Sequence, residues 1–113
     1  MNYIALGKNI KKYRHIAGLR QEDLAELCDC STSHIGQIDH ARTVPSLDMT
    51  MRIANALSVT IDQLAAESYT HPEQIYLKEI AERIEKYSTA KKITICESLS
   101  SYLDSLEKFE KLK

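Results

Sequence analysis

Apolar residues recur three and four positions apart along nearly the whole chain, which is the spacing that places them on one face of an α-helix. No segment alternates apolar and polar residues with β-branched enrichment, and the chain contains only 3 glycines and 2 prolines. A chain of 113 residues, 43% of them hydrophobic, can bury one modest core. The pattern therefore predicts an all-α protein, either one domain or one domain with an appended segment.

Turn and capping residues divide residues 1–68 into five short helices. Gly18 is expected to end the first helix, because glycine readily adopts the left-handed conformation found after many helices. Asp29 is expected to end the second, since aspartate also tolerates that conformation, and Ser31 is a good N-cap for the third. The local architecture predicted from Gln21 to His40 is therefore a helix, a three-residue turn and a helix.

The fourth and fifth predicted helices also begin at polar caps. Ser46 precedes the fourth, and Thr60 precedes the fifth with Gln63 three residues later, as in a capping box. The apolar residues assigned to the helix faces of residues 1–68 include Ile4, Leu27, Leu47 and Met51. These five helices are expected to form one compact domain over residues 1–68, followed by a second helical region over residues 69–113.

A resemblance to a known family lies in the run GLRQEDLAELCDCSTSHIGQIDHARTVPSLDMTMRIANALSVTIDQL. Its features fall in the family's order, beginning with Gln21 and Leu24-Ala25 and ending with Pro45-Ser46-Leu47 and ALSVTIDQL. Over about its first 64 residues the chain resembles the xenobiotic-response-element type of helix-turn-helix transcription regulator, which includes the phage repressors and Cro. The resemblance implies a five-helix repressor-like DNA-binding domain.

The resemblance also implies which residues contact bases. In such proteins the helix that begins near Ser31 lies in the DNA major groove, with its N-terminal side chains facing base edges. Thr32, Ser33 and Gln37 match the base-contacting positions. Glutamine can bond adenine at two points, and threonine and serine can donate to or accept from several bases. His34, in the same first turn, can reach a base or a phosphate.

Three further residues are expected at the sugar-phosphate backbone. Gln21 and His40 match positions that usually touch it, and Arg42 is the nearest cation beyond the helix. Gly36 costs about 1 kcal/mol of helix stability relative to alanine, which is explained either by close approach to the DNA backbone or by loss of a contact. Ala41 replaces the glycine that commonly ends this helix, which implies that the exit turn can differ.

Two other sets of residues have structural interpretations. Arg14 and Asp39 match positions that form a partly buried ion pair in relatives, which assigns them to fold integrity. The three cysteines are interpreted as small buried hydrophobes rather than as a disulfide framework; they are Cys28, Cys30 and Cys96. A metal site at Cys28, Cys30 and His34 is disfavoured because zinc sites need four ligands at spacings such as C-x-x-C. A redox switch is the remaining alternative, and no cofactor or metal is expected.

The charge balance bears on how DNA would be bound. Residues 1–68 carry seven cations and eight anions. Because phosphate neutralisation supplies most of the non-specific affinity for DNA, this nearly neutral domain should bind a single site weakly and need two copies on one duplex. Lys8, Lys11 and Lys12, with Arg42, are the best candidates for a local basic patch.

Residues 69–113 are predicted to form two amphipathic helices. Leu77, Ile80, Ile84 and Tyr87 follow helical spacing, and Ser88 or Thr89 can cap the second helix. That helix carries an apolar stripe with heptad spacing, at Ile95, Leu99, Tyr102, Leu106 and Phe109, flanked by Cys96, Leu103 and Leu112. The stripes are wider than a hairpin needs, which favours homodimerisation through Ile95, Leu99, Tyr102, Leu103, Leu106 and Phe109. A different protein partner and intramolecular packing are the alternatives.

The expected function is that of a sequence-specific transcriptional repressor that binds double-stranded DNA as a homodimer on a two-fold operator. An antitoxin or antagonist module whose C-terminal helices bind another protein is the alternative. No enzyme is expected, because the sequence shows no nucleophile paired with a base, no phosphate-binding glycine loop and no metal set. The start, MNYIALGKNIKKYR, lacks a signal-peptide core and no stretch approaches a membrane span, which predicts a cytoplasmic protein without a membrane partner.

Overall fold

The structure, a computed structural model, describes residues 1–111, and all regular structure in that range is helical. The elements are α1 (Tyr3–Ile16), α2 (Gln21–Leu27), α3 (Thr32–Asp39), α4 (Leu47–Leu57), α5 (Ile61–Leu64), a 3-10 turn (Ala66–Ser68), α6 (Pro72–Glu85) and α7 (Thr89–Lys111). The predicted all-α fold, with five short helices followed by two tail helices, is confirmed. Leu112, which the sequence placed beside the tail stripe, lies outside the described residues.

Four of the helices end in the same left-handed turn. The left-handed residues are Gly18 (φ 73°), Asp29 (φ 53°), Ala41 (φ 55°) and Ser58 (φ 56°). After α3, the Arg42 N–H donates to the Gln37 carbonyl at 2.9 Å, which closes the hydrogen-bonded motif typical of such ends. The predictions for Gly18 and Asp29 are confirmed. Ala41 likewise adopts the left-handed conformation, which glycine takes more easily than alanine.

The predicted helix starts are also present. The Ser31 hydroxyl accepts the His34 N–H at 3.1 Å, and the Ser46 hydroxyl caps α4 in the same way. Thr60 and Gln63 form the reciprocal capping box, with bonds of 3.1 and 2.8 Å. The sequence signals at these N-termini are local, so tertiary packing did not override them.

The chain divides into two compact units, Met1–Tyr76 and Leu77–Lys113. The first unit is built around a core to which α1, α2, α3, α4 and α5 all contribute. Its largest fully buried side chains are Ile10, Leu24, Cys28, Ile35, Ile38, Ile53 and Leu64. These residues fix α3 between α1 and α2, with one side of α3 left at the surface.

Helix α1 approaches the end of α3 most closely at Gly7. A Cβ atom built on Gly7 would lie 2.5 Å from the Asp39 carbonyl oxygen and 2.6 Å from that of Ile38. Because both atoms belong to the backbone, only glycine allows this approach. The sequence interpretation assigned no role to Gly7, although an isolated glycine within a helical pattern is a signal of close packing.

The apolar faces of the first unit are narrower than the sequence pattern indicates. Leu27 is 60% exposed and Leu47 76% exposed, and Ile4 and Met51 are also exposed. Leu27 is the last residue of α2 and Leu47 the first of α4, and at these ends no neighbouring helix covers the side chain. The interpretation of all three cysteines as buried is likewise wrong, because Cys30 is half-buried and Cys96 is exposed.

The segment after α5 is tied back to α1 within the first unit. The Asn9 side-chain amide donates to the Leu64 carbonyl at 2.9 Å and to a Glu67 carboxylate oxygen at 2.6 Å. The Tyr76 hydroxyl donates to the other oxygen of Glu67, and the Tyr69 hydroxyl donates to Asp62. The first residues of α6 are therefore fixed to α1 within the first unit, before the helix enters the second unit.

The second unit contains the remainder of α6 and all of α7, and neither helix has a buried residue in the part of the chain that is described. Ser88 caps α7, accepting the Lys91 N–H at 3.3 Å. The two helices share an open groove of about 250 Å³, lined by Ile80, Arg83, Ile84, Lys86, Tyr87, Ile95 and Leu99. Within this unit the apolar stripes therefore stay largely exposed, with Leu99 at 48% and Leu106 at 42%.

Within residues 1–111, none of the helices combines the length and the apolar character needed to cross a membrane.

Candidate nucleic-acid interface

Helix α3 presents a polar side at the surface of the first unit. Ile35 and Ile38 are buried beneath it, whereas Thr32, Ser33 and Gln37 are exposed. Ser33 and Gln37, four positions apart, share a face of the helix, and Thr32 lies next to Ser33 in the exposed first turn, so the three side chains form one continuous surface. Helix α3 is therefore fixed by the core on one side and exposes hydrogen-bonding side chains on the other.

The helix is held in place by a buried polar network centred on Asp39. The Arg14 guanidinium lies 3.2 Å from Asp39 Oδ2, and both side chains are almost completely buried. Arg14 also donates to the Leu19 carbonyl at 3.1 Å, and the Gln21 amide donates to Asp39 Oδ2 at 3.0 Å. Asp39 Oδ1 and Arg14 Nε are buried without a hydrogen-bond partner among the described residues. One carboxylate thus connects α1, α2 and α3.

Gln21 lies beside the polar side of α3. Both polar atoms of its amide lie 3.7 Å from the position that a Cβ on Gly36 would occupy. A primary amide has two N–H donors, and the bond to Asp39 uses one of them. Since 3.7 Å is ordinary van der Waals contact, packing within the chain does not require glycine at position 36.

The other predicted contact residues surround the same helix. His34 is half-buried in the first turn, and its backbone N–H is the one bound by Ser31. His40 is exposed at the other end, with its Nδ1 atom 2.8 Å from the Gly36 carbonyl oxygen. Arg42 is exposed directly after the left-handed turn at Ala41. The structure therefore brings Gln21, Thr32, Ser33, His34, Gln37, His40 and Arg42 together around α3.

Acidic side chains in the first turns of α2 and α4 are partly neutralised by ion pairs within the chain. Arg20 pairs with Glu22 at 2.8 Å and with Asp23 at 3.1 Å, and the hydrogen bonds from Arg20 lower the pKa of Asp23. Arg52 pairs with Asp48 at 3.0 Å. The acidic residues in the first turns of α2 and α4 therefore repel a phosphate less than their number suggests. Lys8, Lys11 and Lys12 are exposed on α1.

The cysteines of the turn do not have the properties of reactive thiols. Burial raises the pKa of the Cys28 thiol, and burial followed by the nearby Asp29 raises that of Cys30. Metal binding and oxidation both proceed through the thiolate, which a raised pKa disfavours. Across residues 1–111 no three His, Cys, Asp or Glu side chains are placed to hold a metal ion.

Comparison with known proteins gives one family match and several relatives. A family model described as a helix-turn-helix domain matches residues 5–66. The control protein C.SmaI of Serratia marcescens is 29% identical over 69 residues, which is 61% of this chain and 82% of that protein. The crystal structure of the restriction-modification controller protein C.AhdI of Aeromonas hydrophila superposes with a TM-score of 0.54 and 27% identity, covering 56% of this chain and 96% of that one.

A solved complex of the SinR and SinI proteins contains a chain that resembles nearly the whole of this one in fold. The TM-score is 0.55 at 22% identity, covering 96% of this chain and 99% of that one. The helix-turn-helix match, by contrast, contains the core, the buried network and all seven residues around α3. The chain belongs to the helix-turn-helix family and is a DNA-binding transcription regulator of the xenobiotic-response-element, or phage repressor and Cro, type.

Proposed function

We propose that this protein is a sequence-specific repressor that binds a two-fold operator as a homodimer. The observation that carries the proposal is the exposed polar side of α3, held in one position by buried Ile35 and Ile38 and by the Arg14–Asp39 pair. The DNA major groove, about 12 Å wide, accepts one such helix. Thr32, Ser33 and Gln37 would contact base edges there, and His34 a base or a phosphate.

The phosphate contacts follow from what surrounds α3. Gln21 donates one N–H to Asp39 and so has its amide held beside Gly36, with the second N–H for a phosphate oxygen. His40 and Arg42, exposed at the far end of α3, would contact the same strand. These contacts position the protein, whereas the base contacts specify the sequence. Repression would result from occupancy, since a bound dimer blocks polymerase without any chemistry.

Dimerisation is assigned to residues 69–113, through Ile95, Leu99, Tyr102, Leu103, Leu106 and Phe109. The tail supports this role because its apolar stripe is exposed, which disfavours packing of α6 on α7 as the explanation of the stripe. The near-neutral charge of residues 1–68 supports it independently, because one weakly binding copy gains affinity when a second is linked to it. On this proposal the protein acts in the cytoplasm, where its DNA lies.

Base recognition is tested with an operator selected from random DNA by the wild-type protein. Gln37→Ala should lose about 1–3 kcal/mol of discrimination at one or two base pairs. Arg42→Ala is the matched control, and it should weaken binding to all sequences by a similar factor. Equal losses of Gln37→Ala on operator and scrambled DNA would show that Gln37 does not contact bases.

The role of the tail is tested in the full chain with Leu106→Asp, which places a charge in the stripe. Sedimentation should show a monomer, and operator affinity should fall by about 10²- to 10⁴-fold because the second half-site is no longer linked. Ser100→Asp, exposed on α7 outside the heptad stripe, controls for the added charge. A Leu106→Asp protein that stays dimeric with unchanged affinity would contradict tail dimerisation.

That contrary outcome would favour a second candidate function, an antitoxin- or antagonist-type module whose tail binds another protein. The observation in its favour is the open apolar groove between α6 and α7, bordered by Arg83 and Lys86. A chain of similar fold was solved in a complex of two proteins, SinR and SinI, and the likeness to it is one of fold alone. Identification of proteins that co-purify with the wild-type chain but not with Ile84→Asp, which places a charge in this groove, would establish it.

A further inference from the structure

The exposed stripe of α7 has two flanks of different chemistry. The stripe itself repeats at Ile95, Leu99, Tyr102 and Leu106, with alternating steps of four and three. One flank consists of Cys96, Leu103 and Glu110, which directly follow Ile95, Tyr102 and Phe109 in the sequence. The other flank carries Ser98 and Ser105, whose hydroxyls bond the carbonyls four residues earlier at 3.1 Å. We call these the apolar flank and the serine flank.

We propose that two copies pair through α7 in an antiparallel orientation, with Leu99 of each copy level with Tyr102 of the other and Ile95 level with Leu106. This inference rests on the proposed dimerisation and adds its orientation and register. A two-fold axis at right angles to the helix, midway between positions 100 and 101, generates both pairs. The interface is then isologous, with the same residues contributed by each copy.

The flanks favour the antiparallel orientation because it places each flank against the same flank of the other copy. In this register Cys96 lies beside Leu103, and Ser98 lies beside Ser105. A parallel pair would instead place the apolar flank against the serine flank, with Leu103 next to Ser98. The antiparallel pair therefore buries apolar side chains together and keeps the hydroxyls, already bonded to the backbone, on the other side.

A charge at the start of the stripe also bears on the orientation. Lys92 lies three residues before Ile95 and so continues the stripe. In a parallel pair Lys92 would be level with Lys92 of the other copy across the seam, whereas in the antiparallel register it is level with Phe109. Like charges placed opposite each other are unfavourable, so the charge pattern disfavours the parallel pair.

The groove of the second unit gives a third reason. Ile95 lines this groove together with Ile80 and Ile84, and it is level with Leu106 of the second copy. Leu106 is 42% exposed in its own chain and lies too far along α7 to line its own groove. The antiparallel pair therefore brings Leu106 of each copy to the groove of the other, so the occupant of the groove is a second copy of this chain.

Orientation and register are tested by disulfide trapping in the full chain. Cys96→Ser removes the exposed thiol, and Ile95→Cys and Leu106→Cys are introduced into separate chains, which are mixed and oxidised. A cross-linked dimer should form in the mixture and far less in either chain alone, because only the Ile95–Leu106 pair is level. Ser100→Cys, outside the stripe, is the control that should not cross-link. Efficient cross-linking of the Leu106→Cys chain with itself would show a parallel pair and overturn the inference.

Sedimentation of the unmodified chain separates the two proposals, since a monomer would refute dimerisation itself, whereas a dimer with the parallel cross-link would refute only the orientation.

Discussion

The two units of this chain use the same amphipathic helical pattern with opposite results. In the first unit, helices of four to fourteen residues bury a continuous core and a charged pair. In the second, helices as long as the 23-residue α7 bury no residue in the described range. The difference shows that a stripe of apolar residues indicates how much surface has to be buried. It does not indicate whether the same chain or another chain buries it.

The largest expected effect concerns the buried charge of the first unit, a feature that the described residues of the second do not have. Arg14→Met should lower the free energy of unfolding by about 3–5 kcal/mol, because it leaves Asp39 buried and unpaired. Adding Asp39→Leu should regain much of the loss. Arg20→Met, which breaks an exposed pair, should cost less than about 1 kcal/mol. Urea unfolding measures all four chains, and similar small losses for Arg14 and Arg20 would remove the contrast.

The next prediction compares one apolar residue from each unit. Ile53 is fully buried, so Ile53→Ala should lower the free energy of unfolding of the first unit by about 2–5 kcal/mol at any protein concentration. Leu106→Ala should have no effect where the chain is monomeric and a growing effect as the concentration rises, because dimerisation stabilises what it covers. Thermal unfolding over a range of concentrations measures this. A concentration-independent loss for Leu106→Ala would mean that its own chain covers it.

Two glycines of the first unit, Gly7 and Gly36, are expected to respond in opposite ways to substitution by alanine. Gly7→Ala should cost about 1–3 kcal/mol or more, since its Cβ meets two backbone oxygens that cannot move aside. Gly36→Ala should raise helix stability by up to about 1 kcal/mol, because its Cβ makes only ordinary contact with Gln21. Chemical denaturation gives both values. Weaker operator binding by the stable Gly36→Ala protein would favour close approach of this position to DNA over the loss of a contact.

The smallest effect is expected where α1 is joined to the start of α6. Burial raises the pKa of Glu67, but the hydrogen bonds from Tyr76 and Asn9 together outweigh this effect, so the net shift of the pKa is downward. The folded state therefore prefers ionised Glu67, so its contribution is complete at neutral pH and is lost as the pH falls through about 4 and below. Wild type should be slightly more stable than Glu67→Gln at pH 7, and the two should converge in acid unfolding curves. A difference that persists unchanged at low pH would contradict this.

Features that depend on a few neighbouring residues could be predicted from the sequence alone. The helix starts at Ser31, Ser46 and Thr60 and the left-handed ends at Gly18 and Asp29 were predictable, because caps and turns are formed by side chains within one turn of each other. The ordered series of these signals also carried the family resemblance, and with it the residues assigned to α3.

Features that depend on residues far apart in sequence could be assigned only from the folded structure. Gly7 is required only because α1 meets the end of α3, and Gln21 is held only because Asp39, 18 residues later, reaches it. Leu27 and Leu47 follow the helical pattern but lie at helix ends that no other helix covers. The apolar pattern of α7 left the same question open on a larger scale. Periodicity gives the direction of a side chain around its own helix, whereas burial depends on a surface that only the folded chain, or a second copy of it, can bring.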